Sequence, residues 1–522
     1  MISNRLTNAV YNYYEEFFES ESTLNTNSNS SNFIVFIPYL IINSFSSEYN
    51  EKIFSVNDEN YFNFIKFSNL HIIPEKLLYN DTIPDIMEFQ LKNFSKLFIS
   101  NYIGGLISEY TYSDFWLING IENWLSDNFL LKCYGPNYLK HRLNKYLKKF
   151  KKYVKDGKEK RPLYTSNFYH PVELQLDQLV YVKSMIAIHL LEAQVEKNFV
   201  KKALKNIINE RFKNGYNIST ESFIKIFKKN CGINLKHFMQ LWVFKTGMLD
   251  LLLNYSYNKR TNSIDIEIFK KPMTQDFYEK NPHFNIKDIN YDTLEKFNKN
   301  FAVVDFKLKP LRYFDVGLNL LIYQTNGIEI MMESHQVKLE AEKDSISQNF
   351  PLNTKIRKAP MKKIEQEFIQ DLISNISIGK IYSNEEIEKI LTDNSIIWVK
   401  EDPDINLIRN VNVVQQHILY DYIKLFKEGD VIVQVESLRN IYKHTPHENL
   451  QNSLVILETF IRSLAYYKIR LYAIITYLKI ITKMKIEEGY ILLLDYLEDC
   501  WIEILKNKTN LNRDILSDSG SC

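Results

Sequence analysis

Eleven basic side chains crowd into residues 140–161: Lys140, Arg142, Lys145, Lys148, Lys149, Lys151, Lys152, Lys155, Lys158, Lys160 and Arg161. The spacing of Leu139, Leu143, Leu147, Phe150 and Val154 predicts one helix with these on its apolar stripe, so that most of the cations share the solvent side. Such a face can neutralise phosphates without reading bases. The plain alternative is a solvated face in a lysine-rich chain. A second basic cluster, Lys355, Arg357, Lys358, Lys362 and Lys363, suits a nuclear-import or nucleic-acid tract, or a flexible loop. Metal chemistry has less to work with. No histidine lies between His71 and His141, and His444 and His447 flank a proline between two helices, where His447 reads as a helix-start residue. The four cysteines (Cys133, Cys231, Cys500, Cys522) form no C-x-x-C pair, which indicates a reducing compartment and no disulfide frame.

The elements that position these groups follow from periodicity. Ile83, Met87, Leu91, Phe94 and Phe98 recur at helical spacing, with Asp81 or Thr82 as the cap and Pro84 in the first turn. Gly104-Gly105 ends that unit, and a second helix runs through Tyr112–Leu130. Further helices are expected at Lys183–Phe212 and Thr220–Trp242. The period then becomes two. Leu251–Tyr257 and Ile264–Ile268 form a hairpin, and Tyr313–Tyr323 and Ile328–Met332 form a second around Asn326-Gly327. Val337–Leu339 and Ile396–Val399 read as further strands. From Val411 onward helices dominate: Val414–Phe426, Asp430–Tyr442, Glu448–Ala465, Tyr467–Lys485 and Glu487–Leu505. Residues 20–32 are low-complexity and are expected to be disordered, ahead of a strand at Phe33–Pro38. With 65 Lys plus Arg against 63 Asp plus Glu, net charge selects no partner; only its distribution can. No run of about 18 apolar residues suggests a membrane span. The 34 Tyr and 33 Phe sit mostly at core-like spacing and are assigned to packing.

One stretch carries a resemblance. Lys96-Leu97-Phe98-Ile99-Ser100, Gly104, and Tyr112-Ser113-Asp114-Phe115-Trp116-Leu117-Ile118-Asn119-Gly120 are similar to the H-E-x-x-H-x-W-F-G and W-x-D-x-W-L-x-E-G motifs of the zinc aminopeptidases, the family of aminopeptidase N and leukotriene-A hydrolase. Such a site needs two imidazoles at i and i+4, a carboxylate from a neighbouring helix, and a glutamate base. Gly104, Asp114, Trp116, Leu117 and Gly120 match the frame, but the histidines fall on Lys96 and Ser100, the base on Leu97 and the glutamate ligand on Asn119. Lysine, leucine, serine and neutral asparagine hold no zinc, and Glu109 and Glu122 are not substitutes. Tyr181-Val182-Lys183-Ser184 resembles the Y-x-K-G segment, whose tyrosine stabilises an oxyanion. Without a metal-bound water, Tyr181 reads as a packed helix residue. Where the substrate loop is expected, Tyr61–Ser68 has no glutamate.

A peptidase frame without its ligands resembles the TFIID subunit 2 family of TBP-associated factors, which writes W-S-D-x-W-V-L-K-G-I where this chain has Tyr112–Ile121. The Trp398-Val399-Lys400-Glu401-Asp402-Pro403-Asp404-Ile405-Asn406-Leu407-Ile408-Arg409 segment is similar to a second signature of that family, in the same order. The resemblance implies a multidomain α+β chain. Its expected parts are a remnant of an amino-terminal β domain or disorder over 1–60, a catalytically dead, thermolysin-like (aminopeptidase-like) helical domain over 61–248, a β-sandwich over 249–410 with a polar insertion at 355–394, and the start of a HEAT-like α-superhelix over 411–522. The family's long amino-terminal domain does not fit before residue 61; either the chain is a fragment, or that domain has diverged or been lost. The implied role is non-enzymatic and nuclear: partners are TBP and other TFIID subunits and core-promoter DNA, with no cofactor, no catalytic residue, no metal, no membrane and no small-molecule substrate. The alternative is a pseudo-aminopeptidase scaffold of an unrelated intracellular complex.

Overall fold

A computed structural model describes residues 33–37, 65–66, 70–74, 84–100, 103–104, 107–156, 159, 162–164, 178–195, 197–214, 217–270, 316–325, 330–340, 343, 345–352, 396–414, 417–445, 450–463, 465–484 and 494. In the amino-terminal part, β1 (Phe33–Ile37) pairs in parallel with β3 (Leu70–Pro74), which also pairs antiparallel with β2 (Ile65–Lys66). The expected low-complexity run 20–32, the caps Asp81 and Thr82, the turn Asn326-Gly327, the cluster Lys355–Lys363, His447 and the helix 487–505 apart from position 494 lie outside the described residues, as do Lys158, Lys160 and Arg161.

A helical body follows. Its elements are α1 (Pro84–Ser100), β4 (Ser108–Glu109), α2 (Phe115–Tyr134), α3 (Pro136–Lys155), α4 (Gln178–Val195), α5 (Lys197–Asn214), β5 (Asn217–Ile218) and α6 (Thr220–Cys231). Gly135, at φ 81°, breaks α2 from α3, and Pro136 opens α3 where a missing N–H costs nothing. The expected helix over Lys183–Phe212 is covered by two described helices, α4 to Val195 and α5 from Lys197. The expected helix to Trp242 stops at Gly232, whose left-handed φ of 70° caps α6 after the Ser219–Ser222 capping box opens it. Met239–Val243 then winds with a wider, π-type pitch and buries Trp242 completely.

Two sheets come next. In the first, β10 (Ser345–Pro351), β7 (Ser263–Lys270), β6 (Leu249–Asn258) and β12 (Arg409–Val413) lie in that order, with β12 parallel to β6. The second orders β11 (Ile396–Glu401), β8 (Val316–Thr325) and β9 (Ile330–Leu339), all antiparallel. Two expected strands, 328–332 and 337–339, are one continuous strand β9, because its register against β8 runs unbroken from Ile330 to Leu339. Strands β10 and β12 were not legible, since Ser345–Pro351 and Arg409–Val413 lack strong alternation. Leu251, Leu253, Ile264, Ile266 and Ile268 of one sheet and Leu318, Leu320, Ile322, Val337 and Leu339 of the other join one apolar core that continues into the helical body.

Finally α7 (Leu419–Lys427), α8 (Val431–His444), α9 (Leu450–Ile461) and α10 (Tyr467–Met484) form a second core with Ile397 and Trp398. No described helix is long and apolar enough to cross a membrane.

Candidate functional site

The retained frame residues hold helices in place. Asp114, buried just before α2, accepts hydrogen bonds through Oδ1 from the backbone N–H and hydroxyl of Thr220, both at 2.7 Å, and through Oδ2 from the Thr111 hydroxyl at 2.7 Å. It therefore ties the start of α2 to the start of α6. Trp116 is buried and its indole N–H donates to the Thr220 hydroxyl at 3.1 Å. Leu117 is fully buried. Gly104 has φ 92°, a conformation glycine adopts without strain. At Gly120 a Cβ would lie 2.9 Å from the Ser184 carbonyl oxygen and 2.7 Å from Ile188 Cγ1, so only glycine lets α2 approach α4 this closely.

The positions that would do chemistry are occupied by groups with other commitments. Leu97 is buried in the core. Asn119 donates from Nδ2 to the Ser184 hydroxyl at 2.5 Å and to the Tyr181 carbonyl at 3.3 Å, and its Oδ1 accepts from Asn123 at 3.0 Å. Lys96 lies half-buried on α1, and the side chain of Ser100 is outside the described residues. These donors do not fit zinc: an ammonium repels it, leucine offers no base, and the asparagine amide is fully engaged. Among the described residues no group of three or more His, Cys, Asp or Glu could hold a metal ion. Tyr181 packs edge-to-face on Phe115 at 5.4 Å. Burial, and then Glu122 and Glu109, push its hydroxyl up to about 12, so it stays protonated. Lys183, the lysine of the same segment, is buried and structural: it donates to Glu159 at 2.7 Å and to the Lys245 carbonyl at 2.8 Å, while Glu159 also accepts from the Gly247 N–H at 2.7 Å.

Helix α3 divides the basic run. Lys145, Lys152 and Lys155 are exposed, and Lys149 is half-exposed with its ammonium 5.8 Å over the Tyr153 ring. Lys140 pairs with Asp430 at 3.2 Å, and Lys151 donates to Asn410. Burial lowers the ammonium pKa of both Lys148 and Lys151 to about 8, Arg439 adding to the effect at Lys148 and Lys155 at Lys151. Arg142 corrects the expectation of a shared solvent face. It is buried, 2.8 Å from Asp127, because α2 and α4 both pack against the 20-residue helix.

Arg142 opens a cluster that sequence reasoning missed. Asp127 of α2 meets Arg142 of α3 and His189 Nε2 of α4 at 2.9 Å, and His189 Nδ1 stands 3.6 Å from Glu192, which accepts from the Trp124 indole at 2.6 Å. Arg142 also donates to the hydroxyls of Tyr146 and Tyr138. Burial works against the charge of His189, but hydrogen bonds to Asp127 and Glu192 win and raise it to about 9. Burial would raise Asp127, and Arg142 and His189 hold it below the usual carboxylate range. No spacing signal marks three residues on three helices.

The Trp398–Arg409 segment forms the junction between the sheets and the final helices. Trp398 stacks on Tyr323 at 4.4 Å. Lys400 pairs with Asp430 at 2.7 Å, and Asp430 caps α8 by accepting from the Ile432 N–H at 2.8 Å. Since Lys140 of α3 meets the same carboxylate, three parts of the chain converge on Asp430. The Asp402–Ile405 turn is strained, with φ 44° at Asp402 and 56° at Ile405. Asp402 holds it by accepting from the N–H groups of Asn406 at 2.7 Å and Leu407 at 3.1 Å, with Arg409 3.0 Å away.

Residues 246–416 match the family described as TAF2 Ig-like domain, which spans both sheets and the strained turn. The chain is 20% identical over 459 residues to transcription initiation factor TFIID subunit 2 of Danio rerio, covering 82% of this chain and 34% of the relative. It is 24% identical over 446 residues to the subunit of the same name from Schizosaccharomyces pombe, covering 79% and 36%. The chain is similar to TFIID subunit 2. It spans about a third of the length of these relatives. Among solved structures, Legionella pneumophila aminopeptidase A in complex with aspartic acid aligns with TM-score 0.53 and 10% identity, over 97% of this chain and 48% of that one. The likeness to the peptidase is one of fold: a TFIID subunit 2 relative is built on an aminopeptidase-like frame.

Proposed function

We propose that the chain is a non-enzymatic subunit of the general transcription factor TFIID, nuclear, scaffolding TBP and other TBP-associated factors and contacting core-promoter DNA in RNA polymerase II initiation. The observation that carries this reading is selective retention. Asp114, Trp116, Leu117 and Gly120 persist where they pack helices, whereas Lys96, Leu97 and Asn119 replace the groups that zinc hydrolysis needs. The TFIID subunit 2 relatives point the same way. In this reading residues 61–248 are the dead peptidase-like domain, 249–410 the β-sandwich, and 411–522 the start of a HEAT-like superhelix, with α7–α10 as its first helices. No cofactor is needed. Promoter contact falls to Lys145, Lys149, Lys152 and Lys155, because Lys140, Arg142, Lys148 and Lys151 are turned into the protein.

The test is affinity capture of the tagged endogenous protein with mass spectrometry of its companions. TBP together with several of its associated factors is the expected result; a companion set without them sinks the reading in favour of a pseudo-aminopeptidase scaffold elsewhere. For DNA, the triple charge reversal K145E/K152E/K155E is expected to flatten the salt dependence of binding by about 0.9 per lost phosphate contact while the complex stays assembled. An unchanged slope removes α3 from the DNA interface.

A further inference from the structure

Helix α10 is apolar on two sides. Its inner side, Ile469, Ala473, Tyr477, Ile480 and Ile481, is buried in the second core. Its outer side leaves Leu471 46%, Tyr472 39% and Ile475 46% exposed. A helix with apolar residues on opposite sides is normally covered on both. The surroundings of the outer stripe are basic. Residues 467–484 contain Lys468, Arg470, Lys479 and Lys483 and no carboxylate. Lys479 and Lys483 are exposed beyond Ile475, each ammonium 5.8 Å from the Tyr442 ring, which anchors both on one side of the stripe. His141 of α3 stands 5.9 Å from the Tyr472 ring, and residues 136–155 also lack any carboxylate. Lys468 is neutralised by Glu88.

We propose that the Leu471–Tyr472–Ile475 stripe docks an amphipathic acidic helix of a partner protein, its apolar side on the stripe and its carboxylates over Lys479 and Lys483. Nucleic acid suits the site less, because phosphates gain nothing from the three apolar side chains. A helix with anchors at i, i+3 or i+4 and i+7 fits a surface that offers its own anchors four residues apart. Unlike charge on the rim sets orientation and on-rate, while the buried anchors supply affinity. This surface is independent of the promoter reading, and the two can fail separately.

The experiment uses the full chain and two fluorescent peptides of about 15 residues, identical in their leucines at i, i+3, i+4 and i+7, one carrying Glu and the other Lys elsewhere. The Glu peptide is expected to bind and the Lys peptide not. Ile475→Glu, and separately the pair Lys479→Glu and Lys483→Glu, are expected to weaken it by about tenfold or more, with circular dichroism unchanged. Equal binding of both peptides, or binding that neither variant weakens, overturns the proposal. Maleimide labelling of Ile475→Cys in the chain alone adds a check: rapid labelling is expected, and slow labelling shows that the chain covers its own stripe, which also overturns it.

Discussion

Two buried clusters in this chain use the same chemistry with opposite stoichiometry. In the helical body one carboxylate, Asp127, stands between two cations, Arg142 and His189, with Glu192 as a second, outer partner of the histidine. At the junction one guanidinium, Arg409, faces two adjacent carboxylates: Asp402 at 3.0 Å and Glu401 at 3.7 Å. Burial disfavours charge in both places. In the first, each charge is answered, so Asp127 is held low and His189 is raised to about 9. In the second, Glu436 adds a further negative charge, burial dominates, and Arg409 is not enough: Glu401 rises to about 7 and Asp402 also rises. A buried ion pair is therefore not a fixed quantity of stability. The local balance of charge decides whether ionisation favours or opposes the fold.

The largest test of that contrast is Asp127→Asn. It leaves Arg142 and His189 buried with their counter-charge removed, and is expected to cost about 3–5 kcal/mol in urea unfolding. A loss below about 1 kcal/mol would show that water reaches the cluster. The next tests the packing that assembles it. Gly120→Ala places a methyl 2.9 Å from the Ser184 carbonyl oxygen, a backbone atom that cannot step aside, and so pushes α2 from α4, the helices that carry Asp127 and His189. The expected cost is about 1–3 kcal/mol. If it is additive with Asp127→Asn, the cluster does not depend on this close approach.

How much of this was readable in the sequence depends on whether the information was local. Helices α1, α2 and α3 and the first hairpin were legible because their apolar spacing is regular, and Asp114, Trp116 and Gly120 because they lie in one short motif. The Trp398–Arg409 segment was legible for the same reason, although its work as a three-way junction was not: Asp430 and Lys140 lie 30 and 290 residues from the groups they join. Arg142 is the instructive miss. On its own helix it belongs to a lysine-rich run and looks solvated. Only the packing of α2 and α4 against α3 shows that it is buried against Asp127. Strand β12 escaped for a related reason, since a parallel partner, β6, some 160 residues away supplies the hydrogen bonds that Asn410 and its neighbours do not signal.

The smallest effect separates the two clusters by pH. His189 titrates at about 9 in the fold against 6.5 when unperturbed. The folded state binds the proton more tightly, so this stability is complete below pH 6.5 and is lost as pH rises through 9. Glu401 titrates at about 7 against 4.5. Here too the folded state holds the proton more tightly, but the charged form is the unwelcome one: stability falls as pH rises from 4.5 to 7, and the penalty is fully present above 7. His189 and Glu401 thus both lower stability with rising pH, in windows that overlap only between pH 6.5 and 7, and for opposite reasons. His189→Gln should flatten the urea midpoint between pH 6.5 and 9 and lower it at pH 6, because a wanted charge is gone. Glu401→Gln should flatten it between pH 4.5 and 7 and leave it unchanged or higher at pH 8, because an unwanted charge is gone. If Glu401→Gln instead destabilises at pH 8 as His189→Gln does at pH 6, the Arg409 pairing outweighs burial, and the junction is balanced after all.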